Sequence, residues 1–276
     1  MNPVRTAAIF SLRSRQSIIP FINWLVLKET RFYLYAPSSA LHTGPLAMTD
    51  GAAALLHQGT RESSRPSSFA SGHSISLPPI LPAKDQPGVE KAFDEAYLKL
   101  ISRGGPGDAE RWTSAQWMTE CPSGSHVSND ETVAVYSPLS IEELGELGLR
   151  DGDILGPWVI SGYKFFSSAA DANMTILLAK TKDVRGLSAF YAPLKRPTVL
   201  SLVNSEYEGH NAVEWNGVPI VRQKRKPGKK PVATREIELE GMRGWLVCIS
   251  IYIYIYIYKM ILQLILGLDW GRRTGY

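Results

Sequence analysis

The chain has 276 residues, 44% hydrophobic and 20% charged, an ordinary globular composition with room for one or two cores. A formal net charge of +4 is too small to argue for nucleic acid by itself. Two cysteines, Cys121 and Cys248, exclude a disulfide scaffold and a cysteine-based zinc site, and fit a reducing compartment, mitochondrial or cytoplasmic.

Residues 1–28 carry Arg5, Arg13, Arg15 and Lys28 and no acid, which fits a transit-like leader or a mis-joined segment. The apolar run Ile18 to Leu27 lacks a small-residue cleavage site, so a secretory signal is not expected. Residues 29–110 read as a partial N-terminal helical region. Within it, 29–58 is helical, with a turn at Pro37–Ser39 and a break at Gly44–Pro45. The Ser- and Pro-rich stretch 59–88 reads as a loop. In 89–102, Val89, Ala92, Phe93, Ala96 and Leu100 recur at the spacing of an amphipathic helix.

Residues 111–246 change texture to strands. VISGYKFF, MTILLAKT, LSAFYAPL, AVEWNGVPIV and EIELEGM are short runs rich in β-branched and aromatic residues. Turn residues separate them at Ser161–Gly162, Asp183–Gly186 and Asn216–Gly217, the last being a favoured hairpin pair. The expected fold class is α+β, a partial helical region followed by an antiparallel β-barrel or sandwich.

Four blocks carry a family resemblance in their order along the chain: FYLYAPSSALHTGPLAMTDGAAALL, WTSAQWMTECPSGSHVSNDETVA, GYKFFSSAADANMTILLAKT with GLSAFYAPL, and KRKPGKKPVATREIELEGMRGWLV. They resemble the acyl-CoA dehydrogenase family, and within it the branch that includes the alkylation-response flavoprotein AidB. The resemblance covers roughly residues 29–57 and 89–247. It implies a middle β-barrel domain between helical domains, FAD as cofactor, an acyl-CoA thioester as substrate, and a homo-oligomer. In that family the flavin carries the redox chemistry while the protein orients it.

Carried onto this sequence, the resemblance places Met118 and Thr119 beside the flavin pyrimidine ring. It places Ser125, after Gly124, near both FAD and the thioester. Phe166 would pack on the isoalloxazine, with Ser168 near its N5. Without the resemblance, Phe165 and Phe166 read as strand core and Ser168 as a turn serine. Three departures stand out. His126 replaces the usual Asp after the Gly-Ser pair, and a neutral imidazole accepts fewer hydrogen bonds than a carboxylate. Cys121, Pro122, Ser123 and Gly124 stand where related sequences read Arg-Pro-Gly-Gly. Lys230 stands where an arginine is expected and lacks its planar fork.

Other chemistry is weaker. Ser123 or Ser125 beside His126 lacks the nucleophile-elbow pattern of a serine hydrolase. Cys121 is a lone cysteine, and His42, His57, His73, His126 and His210 show no metal-ligand spacing. The run Arg222 to Lys230 holds six cations and offers a nucleic-acid patch, but no aromatic residues interleave it.

Residues 247–276 read as a low-complexity tail in place of the family's C-terminal four-helix domain, which leaves no residue to assign as catalytic base. Leu246 to Leu268 is long enough to span a bilayer, but Lys259 and Gln263 inside it argue against a membrane segment. A β-strand reading of the same stretch would make it prone to aggregate. Ile251 to Tyr258 alternates Ile and Tyr, as a translated ATAT repeat does, and Val247–Cys248 is compatible with an intron start. The expectation is translation into an unspliced intron. Sequencing the transcript across codon 247 should reveal a spliced form that continues in the family's frame; finding only uninterrupted message refutes it.

Overall fold

The computed structural model describes residues 27, 30–39, 41–63, 86–102, 111–124, 127–140, 142–143, 155–182, 184–197, 213–228 and 230–248. The expectations for 1–26, for 64–85 of the Ser/Pro-rich stretch 59–88, for Ser125 and His126, and for the tail 249–276 lie outside them.

Residues 30–35 are helical, and a turn follows at Pro37–Ser39 as expected. Helix α1, Thr43–Ser63, carries Pro45 in its first turn, where a missing N–H costs nothing. Gly44–Pro45 therefore starts this helix. The helix also runs past the expected boundary at residue 58. Its continuation packs on helix α2, Val89–Ile101, where a Cβ on Gly59 would stand 3.0 Å from the Phe93 ring. All five apolar positions expected of α2 are buried. Phe93 is buried and meets Tyr191 edge-on at 5.8 Å. Burying a phenylalanine fully stabilises by about 2–3 kcal/mol, so this contact anchors the helix pair to the sheet.

The strands are β1 (Ser114–Trp117), β2 (Val133–Tyr136), β3 (Trp158–Ser168), β4 (Met174–Thr181), β5 (Val184–Pro193), β6 (Lys195–Pro197), β7 (Val213–Trp215), β8 (Ile220–Gln223) and β9 (Thr234–Cys248). β4 pairs with β2, β2 with β3, β3 with β9, β9 with β5, and β5 returns to β4, so the strands close into a barrel-like ring. β8 adds to β9, and β6–β7 form a separate ribbon. The expectation of a purely antiparallel barrel needs correction, because β1 and β2 both run parallel to β4 along one edge.

β4 explains why MTILLAKT shows no alternation of apolar and polar residues. Met174 and Ile176 face the helix pair, whereas Leu177 and Ala179 face the ring interior. A strand covered on both faces has no polar side to show. Tyr191, Trp245 and Val247 join Met174 and Ile176 beneath the helices. The Gln86 side chain completes the seam by acting as a strand partner. Its Nε2 donates to Leu246 O and its Oε1 accepts from Leu246 N, both at 2.8 Å.

Two expected turns prove to be something else. Ser161–Gly162 lies inside β3. A Cβ on Gly162 would stand 2.5 Å from Thr132 Oγ1, so glycine is required there by close approach rather than by a reversal. Asn216–Gly217 joins β7 to β8, but these strands pair with β6 and β9 and form no hairpin together. The turn instead grips a bulge in β9. Between Ile160↔Met242 and Gly162↔Leu239, β9 holds one residue more than β3. Gly241 (φ 69°) and Gly217 (φ 62°) adopt the left-handed conformation that this arrangement needs. The extra residue shifts the inward face from Ile237 and Leu239 to Met242 and Leu246.

Buried Asn216 donates to Pro193 O and Arg243 O, both at 2.8 Å, and accepts from Arg243 N at 3.0 Å. Asn216→Ala should lower the unfolding free energy by about 3 kcal/mol by orphaning these groups. Urea unfolding should show a lower midpoint at unchanged slope, and a midpoint equal to that of the parent chain would refute the clamp.

Candidate functional site

The two blocks singled out in the sequence meet in space. Phe165 N donates to Thr119 O at 2.9 Å, joining the end of the MTE block to β3. Beneath that junction lies a cluster that the sequence reading missed. Lys164 is fully buried, and its Nζ lies 2.5 Å from Glu120 Oε1, 2.9 Å from Leu178 O and 3.6 Å from Asp130 Oδ2. Glu120 also accepts from Thr132 Oγ1 and from Glu131 N. Asp130 accepts from Ser123 Oγ. Burial alone would raise the Glu120 pKa; the hydrogen bonds from Lys164, Thr132 and Glu131 outweigh it and hold the carboxyl below its usual range. Burial dominates at Asp130 and pushes its pKa up.

Above this base sit the expected site residues. Met118 is half-buried and packs between the helix-side core and the small cluster of Leu178, Leu187 and Ala189. Thr119 is half-buried beside it. Phe166 is 47% exposed, so it is not strand core. Ser168 closes β3, its Oγ 3.0 Å from Thr234 Oγ1 and its carbonyl accepting from Trp117 Nε1 at 3.3 Å. Ala169 follows with φ 52°, the one non-glycine residue in the left-handed region among the described residues. Such a backbone costs about 1 kcal/mol or more and holds only where neighbours over-determine it. Ser125 lies outside the described residues.

A second charged network borders Phe166. Glu236 on β9 is paired with Arg222, at 2.7 Å, and with Lys224, and accepts from Tyr163 Oη. Arg222, Lys224 and Tyr163 together hold the Glu236 carboxyl down at about 2, against an ordinary 4.5. Burial, and then this hydrogen bond, push Tyr163 up to about 12. Lys224 Nζ also stands 3.1 Å from the centroid of Phe165 and 4.8 Å from that of Phe166.

Other candidates recede. Ser123 donates to a carboxylate, the wrong partner for a serine nucleophile. Cys121 is an exposed free thiol. His57 stacks on Tyr97 at 4.7 Å. Among the described residues no group of three or more His, Cys, Asp or Glu could hold a metal, and no helix is long and apolar enough to cross a membrane.

No family model matches the sequence. Over 234 residues, 84% of this chain, it is 30% identical to acyl-CoA dehydrogenase family member 11 of Caenorhabditis elegans, of which it covers 30%. Among solved structures it is similar to Caenorhabditis elegans ACDH-11 in complex with C11-CoA, with 30% identity and a TM-score of 0.50 over 79% of this chain and 28% of that one. It is also similar to the apo-form of Bd2924, with 28% identity and a TM-score of 0.50 over 84% and 36%. The chain thus spans about a third of the length of these relatives. The barrel-like sheet with few helices is consistent with the middle domain of an acyl-CoA dehydrogenase.

Lys164→Met should destabilise the chain by about 3–5 kcal/mol, because it leaves Glu120 and Asp130 buried without their cation. Adding Glu120→Gln should recover more than about 1 kcal/mol of that loss, measured as a double-mutant cycle in urea. Strict additivity would show that the two residues do not depend on each other.

Proposed function

We propose that this chain is the flavin-carrying portion of an acyl-CoA dehydrogenase-type protein, of the AidB-like branch. The reaction of the whole protein is oxidation of the Cα–Cβ bond of an acyl-CoA thioester, with a homo-oligomeric assembly as in the family. The observation that carries the reading is the junction of Thr119 with Phe165, which brings the MTE block and the GYKFFSS block to one surface.

The residues there fit FAD by their chemistry. A half-exposed aromatic ring, Phe166, is flanked by the hydroxyl-bearing residues Thr119, Ser168 and Thr234. FAD, when bound, supplies the two-electron acceptor for the substrate hydride. In this reading Phe166 stacks on the flavin, and Met118 and Thr119 orient its pyrimidine side. Ser168 offers a hydroxyl toward the ring, and Ser125 serves both cofactor and thioester. Ion-paired Lys164 keeps Glu120 in place and so keeps the MTE segment after β1 from shifting. No catalytic base is assigned within this chain.

A second reading is a non-catalytic fragment or mis-spliced product that binds no cofactor. A third, nucleic-acid association through 222–230, has less support, because Arg222 and Lys224 are spent on Glu236.

Gel filtration of the purified chain after incubation with FAD should give a flavin absorbance band that co-elutes with protein. Phe166→Ala should weaken retention about tenfold, the scale of one lost aromatic stack. A folded but colourless chain would favour the fragment reading.

A further inference from the structure

The cluster around Lys164 holds two acids for one base. Lys164 on β3, Glu120 after β1 and Asp130 before β2 are all 0–3% exposed, so water screens none of them. Glu120 takes the ammonium at 2.5 Å and fills its oxygens with Glu131 N and Thr132 Oγ1. Asp130 is served less well. Its Oδ1 is bonded to Ser123 Oγ, but its Oδ2 stands 3.6 Å from Lys164 Nζ and has no hydrogen bond among the described residues.

An ionised carboxylate has several lone pairs to fill, and burial makes each unfilled one costly. A neutral carboxyl demands less. Its hydroxyl can donate from Oδ1 to Ser123 Oγ, reversing the bond between the same two atoms, because a serine hydroxyl both donates and accepts. Oδ2 then faces Lys164 as a bare carbonyl oxygen and adds no second negative charge. The Ser123–Asp130 bond therefore survives in either state, but only the neutral state balances the charges of the cluster. In agreement, burial holds the Asp130 carboxyl above its ordinary range, against the pull of Ser123 and Lys164.

The proton also has something to hold. Between Glu120 and Asp130, Ser123 is the one fully buried residue among those described; Cys121, Pro122, Gly124, Ser128 and Asn129 are exposed. Val127 is half-buried against Leu178, Leu187 and Ala189. Two backbone bonds depend on the ends of this stretch, Ser123 N to Glu120 O at 3.3 Å and Asp130 N to Val127 O at 3.0 Å. With so little apolar packing, the ion cluster does most of the fastening.

We propose that Asp130 is a proton-operated latch that ties Ser123 and the Val127–Asp130 turn to the Lys164 cluster, tight while its carboxyl is neutral and slack once it ionises beside Glu120. The latch needs no ligand, so it stands apart from the proposed function. Its sign is distinctive. A folded value above the ordinary 3.8 makes Asp130's share of stability whole below 3.8 and lost as pH rises through the folded value. Glu120, the other acid facing Lys164, has the opposite sign: its share is whole above 4.5 and lost as pH falls.

Urea unfolding of the full 276-residue chain and of Asp130→Asn, from about pH 4 to about pH 9, tests the latch. The variant keeps the shape of the neutral carboxyl and cannot ionise, so its midpoint should gain on the parent's as pH rises. A difference that stays constant or shrinks overturns the proposal. Over the same range the parent's protection of the Ser123 and Asp130 amides, corrected for intrinsic exchange, should drop at least about threefold. Protection that holds while Asp130 titrates overturns it too. If Asp130→Asn does not fold, the Asp130 carboxyl carbon in the parent decides, followed by nuclear magnetic resonance. A midpoint at or below 3.8 refutes the latch, and a midpoint above it that coincides with the loss of amide protection supports it.

Discussion

A lysine ammonium sealed inside the barrel is the constraint on which the rest of this structure depends. Lys164 on β3 reaches Glu120 beyond β1, Asp130 before β2, and the backbone of β4 at Leu178. It thereby ties together three segments at a single buried point. A buried charge without partners would cost several kcal/mol, so the loops carrying Glu120 and Asp130 cannot drift. A hydrophobic substitute of similar volume could equal the cluster in stability, but could not dictate direction. What the ions contribute is register: Thr119 beside Phe165, and Ser168 beside Thr234.

The two charged networks do different work. The Lys164 cluster is closed, and nearly every donor and acceptor is matched inside the protein. The Glu236 network is open. A single carboxylate answers two cations and a tyrosine, while the loop that follows β8 carries further positive charge. The first fixes the floor of the candidate site. The second leaves an excess of charge at its rim.

Much of the fold was legible in the sequence where periodicity carried it. The spacing of Val89, Ala92, Phe93, Ala96 and Leu100 described α2 correctly. The run Met174 to Thr181 is β4 from end to end. What failed was turn chemistry read without tertiary context. Asn216–Gly217 carries the residues of a hairpin turn, but the turn serves a bulge in a strand that begins 17 residues later than Gly217. Gly162 looked like a reversal and is a gap left for Thr132. The ion cluster was missed because Lys and Glu read as surface by default. One signal was present: in the alternation of β3, Lys164 falls on the same face as buried Ile160. The site residues were reached through family resemblance, since nothing in the spacing of Phe166 or Ser168 marks them apart from an ordinary strand.

The position of β9 has a consequence for how the chain is made. It is the last strand among the described residues, yet it pairs with β3, β5 and β8, and its Leu246 bonds Gln86 across 160 residues. On a ribosome, β1 to β8 emerge before the element that closes them. Until β9 arrives, β3 and β5 each present an unpaired edge beside an exposed aromatic interior, the condition under which nascent chains associate wrongly. The non-local pairing also makes closure a slow step. The interval between synthesis of β5 and release of β9 is therefore the period in which this protein has most need of a chaperone.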